Sequence, residues 1–131
     1  MQEKAEVRDR FRALTRRNHP GRVDPSLELH SAFVMEKAPI LTSAEIDDAL
    51  GTLPKWRCEN DALQRDFEFA DFRAAMAFML RAGFEAEARD HHPEWTNVYH
   101  RVKVRLTTHD AGNKVTAKDV DLARAMNQLA E

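Results

Sequence analysis

Apolar residues recur at helical spacing in three segments of this chain, and each segment is preceded by a residue that can cap a helix. Thr42 with Glu45 matches the capping-box pattern, while Asp71 and Thr116, the latter followed three positions later by Asp119, can cap two further helices. Pro54 ends the first helix. We expect the buried stripes of the three helices to be, in order, Ile46, Ala49, Leu50 and Leu53; Phe72, Met76, Met79, Leu80 and Phe84; and Val120, Ala123, Met126, Leu129 and Ala130.

Between these helices apolar and polar residues alternate, which is the period of a strand. Residues 56–59 and 63–69 are predicted as two strands joined by a turn at Asn60-Asp61, and residues 95–99 and 101–108 as two more. The shared faces are Leu63, Arg65, Phe67 and Phe69 in the second strand, and Val102, Val104 and Leu106 in the fourth. Hairpin connections make neighbouring strands antiparallel. The sequence therefore predicts an α+β fold in the order α-β-β-α-β-β-α, a four-stranded antiparallel sheet with three helices packed on one face.

The first 38 residues show little periodicity, and prolines and a glycine interrupt them at Pro20, Gly21 and Pro25. Eight basic and six acidic residues fall in this stretch. We expect residues 1–38 to be a poorly structured N-terminal extension and residues 39–131 to be the folded domain. Two other interpretations stay open: a basic arm for an acidic partner, and a natural start at Met35.

The composition excludes several classes of protein. A chain of 131 residues with 43% hydrophobic and 32% charged residues is typical of one globular domain. Its single cysteine, Cys58, excludes an internal disulfide framework and a cysteine-based zinc finger. The net charge of −2 does not favour direct nucleic-acid binding, and no apolar run approaches the length of a membrane span. We expect a cytoplasmic protein.

Four of the six histidines fall within residues 91–109, namely His91, His92, His100 and His109. Imidazole titrates near neutral pH, so such a cluster suits proton transfer in both directions. An antiparallel sheet with a helix across it could bring His91, His92 and His109 to one rim, with Glu87 or Asp90 to orient them. From spacing alone, a zinc site and an incidental grouping of polar residues at element ends stay open as alternatives.

The pattern around these histidines resembles the signature of the pterin-4a-carbinolamine dehydratases. Glu87 is followed by three residues and then His91-His92-Pro93, Tyr99 follows after five more, His109 after a further nine, and then Asp119. The resemblance covers about residues 40–130 and includes the order of helices and strands. His100 departs from it, since family members more often carry a small amide there, and it is left out of the predicted site.

The resemblance implies an enzyme that removes water from 4a-hydroxytetrahydropterin to give quinonoid dihydropterin, in tetrahydrobiopterin recycling beside an aromatic amino-acid hydroxylase. It implies no metal and no cofactor, and a homodimer or homotetramer. From the composition we expect no membrane and no direct nucleic acid as partners. His91, His92 and His109 would be catalytic, with His91 and His109 as the proton-transfer pair and His92 mainly positioning the pterin. Substrate-binding residues would be Glu87, Asp90 and Trp95.

Three alternatives accompany this interpretation. Trp95 could pack beneath the site or stack on the pterin. Asp119 could support the first turn of the last helix or take part in binding. The protein could also be a dimerisation cofactor of a transcription regulator, with a vestigial active site.

Overall fold

Helices and strands follow one another in the predicted order. The computed structural model describes residues 37–131. The helices are α1, Ser43–Leu50; α2, Phe72–Ala88; and α3, Ala117–Ala130. The strands are β1, Arg57–Glu59; β2, Ala62–Glu68; β3, Glu94–Val98; and β4, Arg101–Leu106, which a short 3₁₀ helix, His109–Ala111, follows. The predicted extension over residues 1–38 lies outside the described residues except for its last two positions, so it stays a prediction.

The four strands form an antiparallel sheet in the order β1-β2-β4-β3. Along the central pair, Leu63 faces Leu106 and Phe67 faces Val102. These residues are buried, while residues of the opposite face, such as Lys103, are exposed to solvent. The helices therefore cover one face of the sheet, and the predicted α+β architecture is confirmed.

Local signals fix the ends of these elements. The side chain of Thr42 accepts from the N–H of Glu45 and that of Asp71 from the N–H of Ala74, as their positions predict. In the turn between β1 and β2, Asn60 and Asp61 both have positive φ, 51° and 59°. Two such residues in a two-residue connection match the right-handed twist of a hairpin. The predicted turn is confirmed.

The buried face of α2 differs from the prediction. Its buried residues are Ala75, Phe78, Ala82 and Ala86, whereas Phe72, Met76, Leu80 and Phe84 are 47%, 46%, 63% and 69% exposed. Met79 alone of the predicted stripe packs partly against the core. Small alanine side chains let the helix lie close to the sheet and to α3. The face of α2 that is buried is therefore the one that allows this close packing, not the one with the most large side chains. The helix carries a second apolar stripe that no described residue buries.

A smaller difference concerns the end of α1. α1 ends at Leu50 with Gly51 as its C-cap, although Leu53 beyond it is still buried in the core as predicted. Within residues 37–131 no helix is long and apolar enough to cross a membrane.

Candidate active site

The chain reversal that ends α2 places the two adjacent histidines in different surroundings. Asp90 adopts the left-handed conformation, with φ at 48°. Its N–H donates to the carbonyl of Glu87 at 3.1 Å, and the N–H of His91 donates to the carbonyl of Ala86 at 3.0 Å. These two bonds are those of a Schellman motif, which reverses the chain at the end of a helix. The reversal leaves His91 buried and His92 exposed.

His91 and Asp119 form a buried pair that joins the end of α2 to the first turn of α3. Nε2 of His91 lies 2.6 Å from Oδ1 of Asp119, and the two side chains are 8% and 0% exposed. An ionised carboxylate can only accept hydrogen bonds, so we assign the shared hydrogen to Nε2. The carboxylate thus orients the imidazole and leaves Nδ1 as the ring nitrogen available for proton exchange.

The second carboxylate oxygen of Asp119 draws the end of β4 into the same network. Oδ2 accepts from the hydroxyl of Thr108 and from the backbone N–H of Thr116, both at 2.9 Å. The hydroxyl of Thr116 lies 2.7 Å from that of Thr108. Since the Thr108 hydroxyl donates its single hydrogen to Asp119, the Thr116 hydroxyl donates to Thr108. Asp119 therefore ties three parts of the fold together: the α2–β3 connection, the end of β4 and the first turn of α3.

His109 follows Thr108 directly and begins the 3₁₀ helix. The loop is closed at its base, where the N–H of Thr108 donates to the carbonyl of Lys114 at 2.9 Å. His109 is exposed, and its Nδ1 lies 3.4 Å from Oδ1 of Asn113. The hydroxyl of Thr108 is bonded to Asp119, which also binds His91. His109 is therefore the neighbour in sequence of a residue in the network that holds His91.

His92 and Glu87 form a second histidine–carboxylate pair on the solvent side of α2. Nε2 of His92 lies 2.7 Å from Oε2 of Glu87, and both side chains are exposed. Solvent competes for an exposed pair, so either partner can exchange this contact for a ligand at small cost. Within residues 37–131, no group of three His, Cys, Asp or Glu side chains is arranged to hold a metal ion.

The other predicted residues differ in their surroundings. Trp95 is half-buried on β3, where it packs against the core and passes over Gly83 of α2. The side chain of Asp90 is exposed, and its left-handed backbone shapes the turn before His91. His100 lies in the turn before β4, with its ring edge on Tyr99. About 20 Å of strand separates that turn from His109, so the fold keeps His100 apart from the other histidines.

The sequence did not reveal two features of this network. Asp119 had a predicted role at the start of α3, and its N-cap bond to Thr116 fits that role, but its bond to His91 joins residues 28 positions apart. No motif in the sequence indicates a role for Thr108. The signal available is that Thr108 lies next to His109 in the loop that follows β4, since functional residues are often carried on such loops.

The chain is similar to known proteins in both sequence and fold. The family described as pterin 4 alpha carbinolamine dehydratase matches residues 39–129. A relative from Opitutus terrae, whose name assigns it to that family, is 60% identical over 91 residues, which cover 70% of this chain and 94% of the relative. A relative from Rhizorhabdus wittichii with the same family name is 52% identical over 93 residues, covering 70% of this chain and 95% of its own.

A solved structure shows the same fold. The crystal structure of a transcriptional coactivator/pterin dehydratase from Brucella melitensis aligns with a TM-score of 0.69 and 44% sequence identity, and it covers 71% of this chain and 100% of that one. The fold and the sequence similarity thus define a small α+β protein of the pterin dehydratase type. The chain belongs to the pterin-4a-carbinolamine dehydratase family.

The hydrogen bonds of Asp119 predict the effect of an isosteric change. In Asp119→Asn one acceptor oxygen becomes an NH₂ donor, so at least one of the buried donors around it loses its partner. We expect the free energy of unfolding, measured with urea, to fall by about 1–3 kcal/mol. The exposed Asp48 on α1 is a matched control, and Asp48→Asn should change stability by less than about 0.5 kcal/mol. Equal stability of the two variants would contradict the assigned network.

Proposed function

We propose that the protein is a dehydratase that removes water from 4a-hydroxytetrahydropterin and releases quinonoid dihydropterin. The observation that carries this proposal is the buried His91–Asp119 pair, joined through Thr108 to the strand end that carries His109. The reaction needs one group that gives a proton and one that takes a proton, and two imidazoles can fill both roles near neutral pH. Membership of the family supports the same reaction.

The dehydration balances without an oxidant or a reductant. The bond between C4a and its hydroxyl oxygen breaks, the oxygen keeps the electron pair, and a proton delivered to it completes water. The proton on N5 is removed, and the electron pair of the N5–H bond forms the new double bond between N5 and C4a. Hydroxide is a poor leaving group, so the proton delivered to the oxygen accounts for much of the acceleration.

The surroundings of the two histidines support different roles for them. Asp119 accepts from Nε2 of His91, so its carboxylate stabilises the imidazolium that forms when Nδ1 takes a proton. We assign His91 as the base that takes the N5 proton. His109 is exposed and can exchange protons with water, which fits the acid that protonates the 4a-oxygen.

Substrate binding falls to the residues around this pair. His92 and Glu87 can separate and offer a ring nitrogen and a carboxylate to the polar edge of the pterin. Asp90 presents an exposed carboxylate one residue before His91. The half-buried ring of Trp95 offers an apolar surface to a flat heterocycle. A specific pterin site is built from such a mixture of one apolar wall and a few polar groups.

The exposed stripe on α2 supports a homodimer or homotetramer. Phe72, Met76, Leu80 and Phe84 stand four residues apart and form one line along the helix. Burying such a line in a symmetric contact between copies would remove it from water.

The cellular role follows from the reaction. An enzyme with this activity would serve tetrahydrobiopterin recycling and act on the product of an aromatic amino-acid hydroxylase in the cytoplasm. A second candidate function is that of a protein-binding cofactor of a transcription regulator, which the name of the Brucella melitensis protein favours. A binding module alone has no need of a buried histidine–carboxylate pair beside a second exposed histidine, so the enzyme is the better supported proposal.

The dehydratase proposal predicts that two histidines together supply the acceleration. In His91→Ala/His109→Ala, we expect the rate of water loss from freshly generated 4a-hydroxytetrahydropterin near neutral pH to fall by about 100-fold or more, since acid and base are both removed. The rate is followed by stopped-flow absorbance of the quinonoid product. His100→Ala, which removes a histidine at the other end of β4, should keep wild-type activity.

The same assay separates the two candidate functions. A wild-type protein that gives no faster water loss than buffer would overturn the enzyme proposal and leave the binding function. A double variant with near-wild-type activity would overturn the roles of His91 and His109 while keeping the reaction.

The α2 stripe predicts an assembly that charge disrupts. Leu80→Glu/Phe84→Glu places two carboxylates on the exposed apolar line, and we expect it to sediment as a monomer because buried unpaired charge is costly. The exposed Arg124 on α3 is the control, and Arg124→Glu should keep the assembly of the wild-type chain. A wild-type chain that sediments as a monomer at micromolar concentration would contradict this prediction.

A further inference from the structure

A guanidinium joins α2 and α3 a short distance from the buried pair. Nε of Arg89, at the C-cap of α2, donates to Oδ2 of Asp121 on α3 at 2.8 Å. The same guanidinium donates through NH1 to the carbonyl of Glu85 at 3.1 Å and also contacts the Glu85 carboxylate. The guanidinium of Arg89 is therefore bonded to its own helix through NH1 and to the neighbouring helix α3 through Nε.

The arrangement of charges strengthens this contact. One cation lies between two carboxylates, and the Arg89 side chain is 30% exposed, while those of Glu85 and Asp121 are 44% and 59% exposed. The hydrogen bond to Asp121, followed by that to Glu85, raises the pKa of the Arg89 guanidinium above its ordinary value. A fork-shaped donor that engages two partners at once holds them in a defined geometry, which a point charge does not.

The position of this contact is what relates it to the site. Arg89 lies two residues before His91, and Asp121 lies two residues after Asp119. Residues two apart on a helix point about 200° apart, so Asp119 faces the core while Asp121 faces solvent. The two contacts hold the first turn of α3 from two sides. One contact alone would act as a pivot, whereas two on different sides resist rotation of the helix about its axis.

We propose that Arg89 and Asp121 are positioning residues, which fix the first turn of α3 so that Asp119 holds the imidazole of His91 in its reactive orientation. This role rests on the proposed dehydratase function. It acts through the His91–Asp119 bond, because the hydrogen bonds of Arg89 and Asp121 join the two helices and neither residue belongs to the proposed catalytic or substrate-binding set. Proton transfer depends steeply on such geometry, so a small rotation of α3 affects the chemical step more than the binding of substrate.

Arg89→Ala tests this role in the full chain. We expect kcat for dehydration to fall about two- to fivefold with KM changed by less than twofold, the range that a partly exposed ion pair can couple. Arg89→Lys keeps the charge without the fork and should lie between Arg89→Ala and the wild type. The double variant Arg89→Ala/Asp121→Ala should be no slower than Arg89→Ala, because each of the two changes breaks the same contact between α2 and α3. Arg101→Ala removes an ion pair with Glu68 on the sheet and is the control, with unchanged kcat.

A second readout does not depend on catalysis. In ¹⁵N NMR of the histidine rings, the Nε2 proton of His91 should exchange with water faster in Arg89→Ala than in the wild type, because its bond to Asp119 opens more often. Unchanged kcat and unchanged exchange in Arg89→Ala would overturn the proposal. If the wild type proves to have no dehydratase activity, the exchange rate alone decides whether Arg89 and Asp121 hold the His91–Asp119 bond. Unchanged exchange would then overturn it.

Discussion

Burying the carboxylate of Asp119 without partners would cost several kcal/mol, and the fold meets that requirement with three donors from three different segments. Nε2 of His91 comes from the end of α2, the hydroxyl of Thr108 from the end of β4, and the N–H of Thr116 from the start of α3. His91 lies 28 residues and Thr108 lies 11 residues from Asp119 along the chain, so the network is complete only when the sheet and both helices are assembled. The same bonds that stabilise the fold therefore determine where the imidazole of His91 lies.

The local parts of the fold could be predicted because their causes are local. Alternation in β4, with Val102, Val104 and Leu106 buried, follows from the two-residue period of a strand. The caps at Thr42 and Asp71 depend on residues three positions away, which a sequence displays directly.

The face of α2 could not be predicted because the helix carries two apolar stripes. Choosing between Ala82 and Leu80 requires knowing how closely α2 approaches the sheet and α3, which is a tertiary quantity. The histidine cluster at residues 91–109 and its family pattern were visible in the sequence, and so was a capping role for Asp119. That Asp119 also binds His91 depends on which loop meets the first turn of α3, and no spacing along the chain displays that meeting.

A fold of this kind separates the histidines by environment. His91 is buried and bonded to a carboxylate, while His92 and His109 are exposed to solvent. The most direct test of the account is kcat for dehydration of 4a-hydroxytetrahydropterin by Asp119→Asn, measured where circular dichroism shows the variant folded. We expect a fall of about tenfold or more, because the asparagine amide no longer stabilises the His91 imidazolium. A folded variant with wild-type kcat would contradict it.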